Sequence, residues 1–213
     1  MANTFGYGAM TNSFNDIRKS KSIIIIGGNP AEAHPVSMLH VLNGRENGAK
    51  MIVVDPRFSR TAAHADEYVR IRPGTDIGFI WGLIREIFEN DWQDQEYLDQ
   101  RVWNIEAVRE EVEKWTVDEV EHVCGIPPEQ TRAVARMLAE NRPGTLVWCM
   151  GLTQHTIGSS NTRAASILQL VLGNIGKEGG GANIFRGHDN VQGATDLGVA
   201  VDSLPAYYGL AEG

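Results

Sequence analysis

Cysteine is scarce in this sequence: only Cys124 and Cys149 occur in 213 residues. They form no C-x-x-C pair and no Cys/His cluster at zinc spacing, which excludes a disulfide framework and a structural zinc site. Each reads as a small buried hydrophobe. Long apolar runs are also missing, and the longest falls far short of a membrane span, so no direct membrane insertion is expected. The opening "MANTFGYGAMTNSF" has neither a basic n-region nor an apolar h-region, so any export signal lies elsewhere. Positive charge is in deficit, with a formal net charge of -8. That balance argues against a broad nucleic-acid interface or an anionic membrane surface, although a local basic pocket for a phosphate would not show in the total. There is no internal repeat, no low-complexity linker and no G-x-G-x-x-G opening a helix.

What is present is ordinary for a soluble globule: 42% hydrophobic and 22% charged residues. A chain of this size can bury about 70% of its unfolded surface. Residues 22–26, with four consecutive isoleucines, fit a buried core strand, broken by Gly27 and Gly28. A helix is expected over Pro35 to Asn47, with Val36, Leu39, His40 and Asn43 sharing a face. A second buried strand spans Met51 to Val54 and stops at Asp55-Pro56. A short helix through "SRTAAHA" and a third strand, "EYVRIRP", come next. Thr75/Asp76 are an N-cap pair for a helix with apolar positions 77, 80, 81, 84, 87 and 88. Two or three helices are expected over 94–140, then a fourth strand, "TLVWCMG", and a capped helix, "SSNTRAASILQLVLGNIG". Periodicity is lost after Gly176. The alternation predicts an α/β fold: an open, mostly parallel doubly wound sheet with helices on both faces, of the dinucleotide-binding kind.

In such sheets ligands bind at the carboxyl ends of the strands, near the point where strand order reverses. Three of those ends are "GGNPAEAHP", "DPR" and "GLTQH". Each offers small residues for close backbone approach and polar groups that fix orientation. Asp55 follows Gly28 by 27 residues, close to the spacing of the ribose-binding acid in dinucleotide folds. Its alternative role is to cap the turn at Pro56. Arg57 and Arg60 read either as ligand-facing or as solvated cations, and His40, His64 and His122 as surface or packing residues. Of Gln154 and His155, directly after the fourth strand, Gln154 is the stronger site candidate. "NIGKEGGG" makes a weak phosphate loop because it follows a helix and precedes none. The residues alone leave two readings open: a nucleotide-like ligand, or a purely structural set of turns.

Six stretches carry a resemblance over nearly the whole chain: "TFGYGAMTNSFNDI", "GGNPAEAHPV", "GAKMIVVDPRFSRTAAHAD", "IRPGTDIGFI", "GLTQHTIGSSNTR" and "LGNIGKEGGGANIFRGHDNVQGATDLG". In this order they resemble the catalytic (alpha) subunit of molybdenum- or tungsten-dependent formate dehydrogenases, in the dimethyl-sulfoxide-reductase superfamily of molybdopterin oxidoreductases. The resemblance implies formate as substrate and molybdopterin guanine dinucleotide as cofactor, with molybdenum or tungsten held by its dithiolene sulfurs. It puts Gly28, Asn29, Asp55, Arg57, Gly74 and Asp76 around the nucleotide half, and Met150, Gly151 and Gln154 along the pterin half. Arg186 matches the active-site arginine beside the metal. Gly187, His188 and Gln192 are candidate cofactor contacts. A guanidinium stays charged at any working pH and grips a carboxylate in a fixed fork, which suits formate.

The same resemblance implies parts that this sequence does not contain. The family's four-iron cluster needs a cysteine quartet, and its selenocysteine or cysteine metal ligand precedes the segment matching "ANTFGYGAM". The metal ligand is therefore expected upstream of Met1, encoded by an in-frame UGA or within a Cys-His coding sequence. Residues 1–185 are expected to form the cofactor-binding α/β domain. Residues 186–213 would make the active-site loop and the start of a connection to a further domain. Such a piece alone is expected to be inactive. Expected partners are the remaining domains of the subunit and an electron-transfer iron–sulfur subunit. The compartment stays open between periplasm and cytoplasm, the resemblance leaning to the periplasm. Two rival functions remain: another molybdopterin oxidoreductase, such as nitrate reductase, or a non-catalytic nucleotide-binding or assembly module.

Overall fold

The computed structural model of the chain describes residues 2–6, 8–199 and 204–207. A strand with apolar side chains on both faces is stable only between two covering layers. β1 (Ser22–Ile26) takes that central place and is buried along its whole length. It pairs in parallel with β2 (Lys50–Val54) on one side and β4 (Gly144–Trp148) on the other, Ile24 lying opposite both Ile52 and Leu146. β3 (Glu67–Val69) extends the sheet beyond β2 and β5 (Ala182–Ile184) beyond β4. The order is β3-β2-β1-β4-β5, and every pairing is parallel. β5 is unexpected from the sequence, because three residues are too few to show an alternation. Main-chain pairing makes it a strand: it joins β4, and Thr11 closes its outer edge. The Thr11 N–H donates to Ala182 O (3.1 Å), and Thr11 Oγ1 accepts from the Ala182 N–H (2.9 Å).

The helices are α1 (Ala2–Phe5), α2 (Pro30–Ala33) and α3 (Pro35–Glu46), then α4 (Asp76–Glu89), α5 (Gln95–Arg101), α6 (Ile105–Val112), α7 (Val117–Cys124) and α8 (Pro128–Glu140). α9 (Met150–Thr153) and α10 (Gly158–Val171) join β4 to β5, and α11 (Val191–Asp196) follows. The expected short helix over "SRTAAHA" shrinks to a 3-10 turn, Ala62–His64. Residues 94–140 hold four helices where two or three were expected, since each has its own boundary signal. Asp94 caps α5 by accepting from the Tyr97 N–H, Thr116 caps α7 through the Glu119 N–H, and Gly125 stops α7 in the left-handed region. Thr75 and Ile157 precede α4 and α10 without a side-chain cap; the Thr75 hydroxyl donates instead to Arg72 O (2.7 Å).

Alternation along the strands sorts the core into two layers. Ile24, Ile26, Ile52, Val54, Leu146 and Trp148 face Phe79, Leu83, Val134, Leu138 and Leu168 of α4, α8 and α10. Ile23, Ile25, Met51, Val53 and Val147 face the other way, onto Ile17, Met38, Val41 and Phe185. Helix α3 turns opposite to expectation. Val36 and Leu39 are 72% and 57% exposed, whereas Met38, Val41 and Gly44 are buried. Two apolar stripes compete on this helix, and Gly44 decides between them: a Cβ there would sit 2.9 Å from Ile17 O, so only a bare glycine face lets α3 approach that closely.

"NIGKEGGG" lies at the amino end of the sheet, away from the strand-end loops. The Gly144 N–H donates to Asn174 Oδ1 (3.0 Å), and Asn174 Nδ2 donates to Gln169 Oε1 (2.7 Å). Its work here is to lock the start of β4. Among the described residues no helix is long and apolar enough to cross a membrane.

Candidate functional site

Strand order reverses between β1 and β4, whose chain neighbours run off to opposite edges of the sheet. Beyond the last paired residues the main chains stay locked together. The Gly27 N–H donates to Val54 O (3.0 Å), and the Gly151 N–H donates to Gly27 O (3.0 Å). Gly27 has φ +61, and a Cβ on it would lie 2.6 Å from Gly151 C. A Cβ on Gly151 would lie 2.7 Å from the Gly27 Cα. Two backbones therefore cross here at a distance that side chains forbid.

On the β2 and β3 side of this crossing a cleft of about 460 Å³ opens between Asp55, Arg57, Asp76, Met150, Gln154 and His155. That volume suits a cofactor-sized ligand. Burial pushes the Asp55 carboxyl above its ordinary range, opposed by the Arg57 N–H and the Arg57 charge. Burial raises Asp76 as well, against its own N–H and His155, while the nearby charge of Asp55 raises it further. Asp76 is 5% exposed, and its Oδ2 lies 3.7 Å from His155 Nε2. Asp55 Oδ1 accepts the Arg57 N–H (2.8 Å), so the turn-capping role is real, and the carboxylate retains further acceptor capacity. Two half-compensated carboxylates in one cleft favour a ligand that brings N–H and O–H donors in pairs.

On the β1 and β5 side lies a second cleft of about 380 Å³, between Phe14, His34, Ser37, Ile184, Arg186, His188 and Gln192. Arg186 leaves the end of β5 half-buried, and one of its terminal nitrogens (Nη2) donates to Gly8 O (3.0 Å). Only one of its five donors is accounted for by that bond. Gly187 lies against the side chain of Met150, so the two clefts meet at that contact.

Of the site candidates, the first cleft collects Asp55, Arg57, Asp76, Met150, Gly151 and Gln154, and the second collects Arg186, His188 and Gln192. Gly187 stands between them. Three other candidates line neither. Gly28 is buried, with room only for a hydrogen against Cys149 Sγ. Gly74 is exposed beside Pro73 of the first cleft, with φ +84. The Asn29 amide is consumed at both ends: Oδ1 accepts from the Thr61 N–H and hydroxyl (3.2 and 2.7 Å), and Nδ2 donates to Glu32 (2.6 Å). The side chain of Asn29 therefore braces the loop. Gln192 donates to Asp196 (2.8 Å). Both cysteines are free and buried, as expected, and burial carries the Cys149 thiol up to about 12. Sequence reasoning passed over His34. Its ring nitrogen Nε2 donates to Arg186 O across 152 residues (2.6 Å), and its one visible signal was a place before Pro35 in the loop after β1.

Residues 2–207 match the family described as Molybdopterin oxidoreductase. The chain is 37% identical to the nitrate-inducible formate dehydrogenase major subunit of Escherichia coli (strain K12), in a match covering 97% of this chain and 26% of that protein. It is 37% identical to the F420-dependent formate dehydrogenase subunit alpha of Methanocaldococcus jannaschii, covering 100% of this chain and 32% of the relative. Acetylene hydratase from Pelobacter acetylenicus shares the fold with a TM-score of 0.74 at 28% identity, over 81% of this chain and 23% of that one. The chain thus spans about a quarter to a third of the length of the curated relatives it matches.

Proposed function

Because this chain belongs to the molybdopterin oxidoreductase family, we propose that it is the cofactor-binding domain of an enzyme that oxidises formate to carbon dioxide. The homology to formate dehydrogenase alpha subunits, bacterial and archaeal, supports the substrate. The observation that carries the assignment is the half-buried Arg186 guanidinium, which lines a cleft adjoining the acid-lined one across the Met150–Gly187 contact. One cleft would hold the cofactor, and the arginine would hold a small anion beside it.

The residues fit the nucleotide half of a molybdopterin guanine dinucleotide. Guanine and ribose present paired donors, and Asp55 and Asp76 are carboxylates short of donors in a cleft of suitable size. Gly151, Met150 and Gln154 would line the pterin half, where an exposed glycine lets main-chain groups approach a flat polar ring. When bound, the cofactor with its molybdenum or tungsten supplies the centre that takes the electron pair from formate. Arg186 would hold the formate carboxylate in a two-pronged grip, turn its C–H toward that centre and favour the neutral product's release, since carbon dioxide no longer pairs with the guanidinium. Formate loses two electrons and one proton in becoming carbon dioxide. Gly187, against Met150, and His188, lining the second cleft, would be cofactor contacts. Residues 1–185 would thus form the cofactor-binding α/β domain, and 186–213 the active-site loop and the start of a connection to a further domain. The metal ligand, an iron–sulfur cluster and an iron–sulfur partner subunit would belong to the rest of the assembly.

The test is formate-dependent dye reduction by the cofactor-loaded enzyme, wild type against Arg186→Lys. Lysine keeps the charge and loses the fork, so kcat/KM should fall about 100-fold. Full activity in the variant would remove Arg186 from the substrate site. The likeness to acetylene hydratase gives a second reading, a different small substrate on the same scaffold. A loaded enzyme that does not respond to formate would favour it.

A further inference from the structure

We infer that His34 is the positioning residue for the Arg186 arm: it fixes the main chain of Arg186 so that the guanidinium stays aimed into the second cleft. This inference rests on the role proposed for Arg186. β5 ends at Ile184, and α11 begins at Val191 with none of its residues buried, so the segment between them needs anchors from elsewhere. The Phe185 N–H donates to Trp148 O (3.0 Å), which extends the pairing with β4 by one residue. The next attachment is His34. Its Nε2 lies 2.6 Å from Arg186 O, and because a carbonyl only accepts, Nε2 must carry the proton. The imidazole also packs on the ring of Phe185, centroids 5.5 Å apart, and Phe185 meets Phe14 edge-on at 5.0 Å. Phe185 is 1% exposed, so the histidine is seated on a core residue and not on a loop.

His34 is itself held from both sides. It closes α2, its N–H donating to Pro30 O (2.9 Å), and its carbonyl accepts from the Met38 N–H (2.9 Å) at the start of α3. Pro35 follows at the first position of α3 and restricts the backbone of His34. The loop after β1 thereby reaches across the rim to the exit of β5, joining the two elements that flank the second cleft. The ring's other nitrogen, Nδ1, is buried without a hydrogen-bond partner among the described residues. A side chain that leaves one polar atom unpaired in order to place the other on a carbonyl 152 residues away is doing positional work.

The test compares His34→Phe, which keeps a ring and loses the donor, with His34→Gln, whose amide can still donate to Arg186 O. Two quantities are read in the cofactor-loaded enzyme: hydrogen exchange of the 184–192 amides, and the split between KM and kcat for formate. Loss of one hydrogen bond should speed exchange in that segment about tenfold and raise the formate KM about tenfold, with kcat within about twofold. His34→Gln should restore both to within about threefold. If His34→Phe leaves either the exchange or the KM at the wild-type value, the positioning role is wrong. Arg186→Lys separates the two proposals. A kcat/KM lowered by that variant while His34→Phe is silent overturns only the positioning role, whereas an unchanged kcat/KM in Arg186→Lys overturns the substrate assignment itself.

Discussion

The two clefts are built by different means. The acid-lined cleft rests on the crossing of β1 and β4, where Gly27 and Gly151 are within bonding reach of each other's backbone and nothing can yield. The arginine cleft hangs from the exit of β5 by a short set of contacts: one main-chain bond at Phe185, one imidazole and one bond from Arg186 to Gly8. Even the glycines differ. A Cβ on Gly187 would meet the side chain of Met150 at 3.3 Å, and Met150 can move aside. A cofactor held for the life of an enzyme needs a preformed seat. A substrate that arrives and leaves at every turnover is better served by an arm with limited freedom.

Substitutions can sharpen or break that contrast. The largest effect is expected from Gly27→Ala, which combines a left-handed backbone with a clash against main chain at 2.6 Å. It should cost at least about 3 kcal/mol and leave little folded protein, as measured by thermal unfolding. A melting temperature near wild type would show that the crossing can relax. Arg186→Lys comes next. Its loss of about 100-fold in kcat/KM should leave the melting temperature within about 2 °C, because the guanidinium supports no core contact.

Asp76→Asn should raise stability while weakening cofactor retention, which is the mark of a group held for a ligand. Burial raises the Asp76 carboxyl, so its charged form is a liability to the empty fold above its folded-state pKa. The gain from asparagine should be largest at neutral pH, about 2–4 °C for each kcal/mol relieved, and should shrink as pH falls through that raised pKa and the aspartic acid becomes neutral. A gain that grows toward acid would contradict the assignment. Smallest is Gly187→Ala, expected to cost less than about 1 kcal/mol, since Met150 needs to shift by only a few tenths of an ångström. A collapse comparable to that of Gly27→Ala would mean the arm is as rigid as the crossing.

The sheet was legible because each central strand is a mostly apolar run: 22–26 and 51–54 appear where those runs stand, while of "TLVWCMG" the strand keeps Thr145 to Trp148, and Met150 and Gly151 begin α9. α3 was misread in orientation because Val36, Met38, Leu39, Val41 and Leu42 form two overlapping stripes, and a packing constraint at Gly44 selects one of them. β5 escaped notice because a three-residue strand has no period. Among site residues, Asp55 and Asp76 were visible as acids at a strand end and a helix start. That they share one cleft follows from β2 and β3 lying side by side.

Sequence by itself determined the fold class, the set of strand-end loops and the chemical types gathered on them, because short-range patterning and strand alternation are local properties. The tertiary structure decided which loops meet. The crossing at Gly27 and Gly151, the division of the rim into two clefts and the bond from His34 to Arg186 all depend on chain segments more than 120 residues apart coming within ångströms of one another. No local pattern records such a distance; strand order sets it, and strand order emerges only when the whole core closes.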